Sequence, residues 1–195
     1  MNALKTATIA ILERLLPERI KSSMFHLAYH LAHAEFEKFA HHYAFAPSMH
    51  YGLAAMVERG FRPKTIIDAG AYEGNWSRLA KRIWPSCKLI MVEPNAANNQ
   101  RLLDTAKDVE ALLLSDLLGA EDGREVPFNV MASGSSIMNE RSPLARKVET
   151  RRLRTLDSIV KSNEPPVFLK IDAPGYERQI LMGAARTLAA VDAVL

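Results

Sequence analysis

The sequence predicts an α/β fold built on a mostly parallel sheet with helices on both faces. From residue 65 onward, short apolar runs bounded by turn residues alternate with segments of helical spacing, as in βαβ units. A chain of 195 residues, 48% of them hydrophobic, can bury one substantial core but is short for two full domains. We therefore expect one main domain with one functional site.

The first 47 residues are expected to form a helical N-terminal extension, and residues 48–195 the main domain. Residues 4–45 place Leu, Ile, Phe and Ala at helical intervals and contain no glycine. The apolar stripe Ile9, Leu12, Leu15 and Leu16 could lie on a membrane, but such stripes more often pack on the parent domain or on a second subunit. A homodimer is therefore one alternative. No apolar run approaches the ~20 residues that span a bilayer.

The elements of the main domain follow from the pattern in chain order. Helices are predicted over 48–59, 75–84, 96–106 and 176–189, and strands over 65–69, 88–93 and 109–115. "PVFLKIDA" reads as a further buried strand and "VDAVL" as the opening of another. Between 125 and 155 shorter, partly alternating segments surround the loop "MASGSSIMNERSPLARK", which predicts a hairpin-like excursion.

Composition excludes several classes of function. The net charge is +3, and no Lys/Arg block is interleaved with aromatic residues, so no nucleic-acid partner is expected. The basic stretch "RKVETRRLR" is interpreted as a solvated strand face, although it could attract an acidic substrate or a membrane surface. One cysteine and no secretory signal fit a cytoplasmic protein. His26, His30 and His33 share a helical face but lack an accompanying Cys or catalytic Glu, so no metal is expected.

A candidate cofactor site lies in "TIIDAGAYEGN". A strand ending near Asp68, followed by Gly70 and Gly74, places backbone N–H groups and a helix N-terminus at the carboxyl end of a parallel strand. Glycine there would let a ligand approach the backbone and would permit a positive φ. The alternative is that the two glycines only allow close packing of helix on strand.

Two further motifs extend this site. Glu93 in "LIMVEPN" ends the next strand, where an acid can accept both hydrogens of a ribose diol in NAD or in S-adenosylmethionine. The loop lacks the paired Gly-x-Gly of dinucleotide sites, and Glu73 would repel a pyrophosphate, which favours the sulfonium cofactor. In "LLLSDLLG", Asp116 could accept from the adenine amine or could simply form a turn before Gly119.

The motif "KIDAPGYERQILMGA" makes a family resemblance specific. Together with "TIIDAGAYEGNWS", "VEPN", "SD", "SGSS" and "TLDSI", it resembles the FkbM-type S-adenosylmethionine-dependent methyltransferases in order and spacing over roughly residues 52–195. The resemblance implies a Rossmann-like class I methyltransferase sheet. It also implies O-methylation of a hydroxyl on a sugar, glycan or secondary metabolite, with S-adenosyl-L-methionine as cofactor and a small-molecule or glycan acceptor.

The resemblance also implies roles for individual residues. Asp172 is the first candidate to orient or deprotonate the acceptor and Glu177 the second, although either could cap the following helix. Ser135, Ser136 and Lys170 are candidates for substrate binding, and the loop with Ser135 and Ser136 is either a substrate lid or a flexible hairpin connection. Pro174 departs from the usual motif and removes one backbone donor. The candidate cofactor-binding residues are Asp68, Gly70, Ala71, Tyr72, Gly74, Asn75, Glu93, Pro94, Ser115 and Asp116.

The sheet of such methyltransferases usually continues beyond the strand that Val191 begins. We therefore expect a domain truncated in its fifth core strand. A non-catalytic remnant that keeps the fold, with or without cofactor binding, is the alternative function.

Overall fold

The computed structural model describes residues 49–96, 99–130 and 147–195. The chain divides into two compact units, residues 1–52 and Leu53–Leu195, and the second carries the sheets described here. The predicted N-terminal extension, with its apolar stripe and histidines, lies outside the described residues, as do Ser135 and Ser136.

The described residues form six helices and eight strands. The helices are α1 (Met49–Glu58), α2 (Asn75–Ile83), α3 (Gln100–Asp108), α4 (Leu156–Ile159), α5 (Glu177–Met182) and α6 (Ala185–Leu188). The strands are β1 (Thr65–Ala69), β2 (Lys88–Val92), β3 (Leu112–Leu114), β4 (Leu117–Leu118), β5 (Glu125–Val130), β6 (Lys147–Arg154), β7 (Val167–Ile171) and β8 (Val191–Val194).

The main sheet has five strands in the order β3-β2-β1-β7-β8, and every adjacent pair is parallel. All five residues of the central strand β1 are buried, because a parallel sheet is covered on both faces. In register, Asp68 of β1 lies between Met91 of β2 and Lys170 of β7. The predicted α/β fold with a mostly parallel sheet is confirmed.

Two apolar cores cover the two faces of this sheet. Alternate residues of β1 divide between them, Ile66 in one and Ile67 in the other. The first core receives side chains from α1, α2 and α3, and it contains Trp84 and Phe168 in edge-to-face contact with ring centroids 5.7 Å apart. The second receives side chains from α4, α5 and the residues beside them. Helices therefore lie on both faces, as predicted.

A second, smaller sheet has the order β4-β6-β5. Strands β5 and β6 pair antiparallel, which confirms the hairpin-like excursion for the described part of that region. Along β6 the basic side chains form ion pairs: Arg152 Nε lies 3.0 Å from Glu125 and Arg154 Nε 3.1 Å from Asp122, while Leu153 between them is buried. This is the arrangement of a solvated strand face.

The largest differences from the predicted element boundaries concern three elements. Helix α3 starts at Gln100 rather than at 96, because Asn99 caps it by accepting a hydrogen bond from Leu102 N at 3.1 Å. The single helix predicted over 176–189 is two helices that break at Gly183, where a Cβ would overlap the carbonyl oxygen of Gly119. The strand predicted over 109–115 is only Leu112–Leu114.

None of the helices in the described part of the chain is long and apolar enough to cross a membrane.

Candidate active site

An open cleft of about 550 Å³ lies at the carboxyl ends of β1, β2 and β7, which is where open parallel sheets bind ligands. One side is formed by the sheet ends and the segment after β7, the other by the second sheet and α5. The lining residues are Gly70, Val92, Glu93, Pro94, Asp116, Leu117, Leu118, Phe128, Asp172, Ala173, Pro174, Tyr176 and Ile180. Five predicted site residues are thus brought together: Gly70, Glu93, Pro94, Asp116 and Asp172.

The loop between β1 and α2 is held by its own hydrogen bonds. The amides of Gly70 and Ala71 both donate to Val92 O, at 2.9 and 3.1 Å, and the amide of Gly74 donates to Ala71 O at 2.7 Å. The amide of Tyr72 donates to Glu93 Oε2 at 3.0 Å. Four loop amides that the sequence argument assigned to a ligand are therefore already engaged within the protein.

The two loop glycines have left-handed backbones, with φ of +82° at Gly70 and +78° at Gly74. A Cβ at Gly70 would overlap the backbone carbonyl of Asp172, so this glycine lets the loop after β1 touch the loop after β7. A Cβ at Gly74 would lie 2.5 Å from Thr105 Cγ2, a contact inside the protein rather than in the cleft. Close packing, left open as an alternative above, accounts for Gly74.

Glu93 presents an oriented carboxylate at the end of β2. Oε2 accepts from Tyr72 N and Oε1 accepts from Asn95 N at 3.1 Å, so each oxygen is fixed by one backbone donor. Each oxygen can still accept another hydrogen bond, and the side chain lines the cleft. Burial raises the pKa of Glu93 above its ordinary value of 4.5, and the two backbone donors oppose that rise.

The predicted adenine-side residues follow β3. Asp116 is half-buried and lines the cleft. Ser115 is exposed, and its hydroxyl donates to Pro94 O at 3.4 Å, a long contact. Asp116 is thus available to a ligand in the cleft, and Ser115 supports the Pro94 wall.

A buried charge network lies below the loop. Lys170 Nζ donates to Asp68 Oδ1 at 2.8 Å and to Gly70 O at 2.9 Å, and lies 3.7 Å from Asp172 Oδ2. The other oxygen of Asp68, Oδ2, accepts from Ser77 Oγ at 2.6 Å. Burial raises the pKa of Asp68, and the charge of Lys170 opposes that rise.

This network gives its members different access to a ligand. The side chains of Asp68 and Lys170 are 0% and 8% exposed, whereas that of Asp172 is 69% exposed. Asp68 and Lys170 therefore support the loop from beneath, and only Asp172 presents its carboxylate to the cleft.

The other predicted site residues lie beside the cleft. Glu177 begins α5, and its Oε1 accepts from Gly175 N at 3.2 Å, in the turn that precedes the helix; among the described residues, no side chain caps the first turn of α5. Tyr72 is 45% exposed, Ala71 is buried, and Asn75 is exposed at the first position of α2. These residues shape the loop without lining the described cleft.

The sequence analysis missed the apolar wall of the cleft. That wall comprises Leu117, Leu118, Phe128, Tyr176 and Ile180. Phe128 had a detectable signal, because "EVPFNV" alternates and buries Val126 and Phe128 on one face of β5. No pattern in the sequence indicates that this face closes over the sheet ends.

The lining charges limit what the cleft can bind. Carboxylates of Glu93, Asp116 and Asp172 line it, and no lysine or arginine occurs among the lining residues in the described ranges. A ligand with a positive charge and hydroxyl donors suits this set, whereas a pyrophosphate would lack a counter-charge there.

Comparisons with known proteins place the chain in a family. The family model described as the methyltransferase FkbM domain matches residues 68–195, well over half of the chain. No curated protein matches. The crystal structure of the methyltransferase FkbM from Methylobacillus flagellatus KT is similar, with 18% identity and a TM-score of 0.44. The match covers 65% of this chain and 30% of that one, so the chain spans less than a third of that protein's length. By its match to the domain, the chain belongs to the FkbM methyltransferase family.

Proposed function

We propose that the protein is an S-adenosylmethionine-dependent methyltransferase that methylates a hydroxyl of a sugar, glycan or secondary metabolite. The observation that carries the cofactor assignment is Glu93. Its two oxygens are each fixed by a backbone N–H, and the residue lines the cleft beside Gly70 at the end of β2, where an acidic side chain can accept from both hydroxyls of a ribose.

The residues in the cleft fit this cofactor. Glu93 would hold the ribose hydroxyls and Asp116 the adenine amine, and the amino-acid part would lie beside Gly70, which lines the same cleft. The acidic lining suits a sulfonium cation, and the engaged loop amides leave few donors for a dinucleotide's pyrophosphate. When bound, the cofactor supplies an electrophilic methyl group.

Asp172 is proposed to orient the acceptor hydroxyl and to accept its proton. Its carboxylate is exposed, although its partner Lys170 is buried. Lys170 Nζ lies 3.7 Å from Asp172 Oδ2 and holds the carboxylate near the Gly70 loop. Most of the rate enhancement of such a transfer comes from alignment of the two reactants, so the protein's main task here is positioning. The exposed carboxylate and the open cleft are compatible with a hydroxyl-bearing acceptor.

Calorimetric titration of the purified protein with S-adenosylhomocysteine, with NADH as the control ligand, tests the proposal. We expect binding of the first alone. Glu93→Ala should weaken that binding by about 1.5–3 kcal/mol, the range for a hydrogen bond to a charged group. Glu73→Ala is the matched control, because Glu73 lies in the same loop but pairs with Arg101 outside the cleft.

The outcomes separate the alternatives. Binding of NADH, or an unchanged affinity in Glu93→Ala, would overturn the cofactor assignment. Binding of S-adenosylhomocysteine without methyl transfer to any of a panel of sugars, glycans and phenolic metabolites would favour the non-catalytic alternative.

A further inference from the structure

The basic strand β6 contains one arginine that reaches the cleft wall. We propose that Arg151 is a positioning residue that holds the turn bearing Glu93 and so fixes the ribose-binding carboxylate. This inference rests on the proposed function, because it assigns Arg151 a role in the same cofactor site.

The contact that carries the inference joins the two sheets. Arg151 Nη1 donates to Pro94 O at 3.2 Å. Pro94 lies inside the turn closed by the bond from Ala96 N to Glu93 O at 3.1 Å. Because Glu93 Oε1 is bonded to Asn95 N of this same turn, a displacement of the turn displaces the carboxylate.

The guanidinium is itself fixed on its other sides. Its Nε and Nη2 donate to Glu149 Oε2 at 3.1 and 2.8 Å. Its Cζ lies 5.8 Å from the ring centroid of Phe128, a residue of the cleft wall. These contacts aim Nη1 at the Pro94 carbonyl, and a lysine, with one nitrogen, could not make them together.

The neighbouring arginines of β6 do not share this position. Successive side chains of a strand point to opposite faces, so Arg152 and Arg154 lie on the face away from the one that carries Arg151. Arg152 pairs with Glu125, and its side chain is 74% exposed, against 29% for that of Arg151. Arg152→Met is therefore a matched control for Arg151→Met.

A double-mutant cycle read by calorimetric titration with S-adenosylhomocysteine tests the inference. Arg151→Met should weaken binding about tenfold in the wild-type background, as for loss of one hydrogen bond. In the Glu93→Ala background the same substitution should have no further effect, because it acts through Glu93. Arg152→Met should bind like the wild type, and circular dichroism verifies the fold of each variant.

Each outcome decides the inference. An unchanged affinity in Arg151→Met, or an equal loss in both backgrounds, would overturn it while leaving the proposed function intact. A wild type that does not bind S-adenosylhomocysteine would overturn both. If Arg151→Met fails to fold, Glu149→Gln replaces it. This substitution frees the guanidinium of Arg151 and should weaken S-adenosylhomocysteine binding several-fold, again only where Glu93 is present. An unchanged affinity in Glu149→Gln would contradict the inference.

Discussion

The buried pair of Asp68 and Lys170 allows a quantitative test of how the cofactor loop is supported. Asp68 is completely buried, and Lys170 Nζ, 2.8 Å from Oδ1, is its only ion-pair partner among the described residues. Lys170→Met removes that charge and also the bond to Gly70 O, but keeps an unbranched apolar side chain of similar length. What remains is an uncompensated carboxylate beneath the loop, with Ser77 as the one side-chain partner left to it in the described part of the chain.

The expected cost follows from this burial. Removing one partner of a buried ion pair typically costs about 3–5 kcal/mol of unfolding free energy, because the other charge stays desolvated. For a chain of this size that corresponds to a fall of roughly 6–20 °C in melting temperature. Replacing both residues, as Asp68→Asn with Lys170→Met, removes the stranded charge and should recover most of the loss.

The assay is urea denaturation of the wild type, the two single variants and the double variant, followed by circular dichroism. Lys161→Met serves as control: Lys161 is exposed, so its replacement should change stability by less than about 0.5 kcal/mol. The reasoning is refuted if Lys170→Met lies within about 1 kcal/mol of the wild type, or if the losses of the two single variants simply add in the double variant.

Two further predictions concern the carboxylates of Asp172 and Asp122. With an acceptor that the wild type methylates, Asp172→Asn should lower the turnover of methyl transfer by at least about tenfold and leave the affinity for S-adenosylhomocysteine within about twofold. Equal losses of turnover and affinity would make Asp172 a cofactor ligand. Asp122 accepts from Ser158 Oγ, Thr155 and Arg154, which lowers its pKa from 3.8 to about 2. Its contribution to stability is therefore present above pH 3.8 and is lost as the pH falls toward 2. Urea midpoints of wild type and Asp122→Asn should converge over that interval, and a constant difference would contradict this.

The positions of the central strands along the chain could be predicted because these strands are buried on both faces. Runs such as "TIIDA" and "VFLKI" are mostly apolar, a pattern that depends little on the partner strand. Element ends were less predictable where a contact distant in sequence decides them. At Gly183, where the predicted helix breaks, a side chain would overlap the backbone of Gly119, and spacing along the chain does not report that contact.

The residues of the site likewise divide into those that the sequence predicts and those that depend on contacts distant in sequence. Glu93, Gly70 and Asp116 occupy ends of parallel strands or the segments after them, so topology alone brings them together. The burial of Asp68 and Lys170 could not be predicted, since a polar residue at a strand end can face a ligand or another side chain equally well. Phe128 lines the cleft, and Arg151 bonds Pro94 of its wall, through the packing of the second sheet, which the sequence does not encode as a local pattern.

The internally bonded loop between β1 and α2 has a thermodynamic consequence. Because the amides of Gly70, Ala71, Tyr72 and Gly74 already have acceptors, the loop need not reorganise around an incoming molecule. The conformational entropy of that segment is lost when the chain folds, so its loss does not weaken the free energy of ligand binding. A ligand should therefore bind to a preorganised loop. The heat-capacity change of binding should then come almost entirely from the apolar surface that the ligand covers.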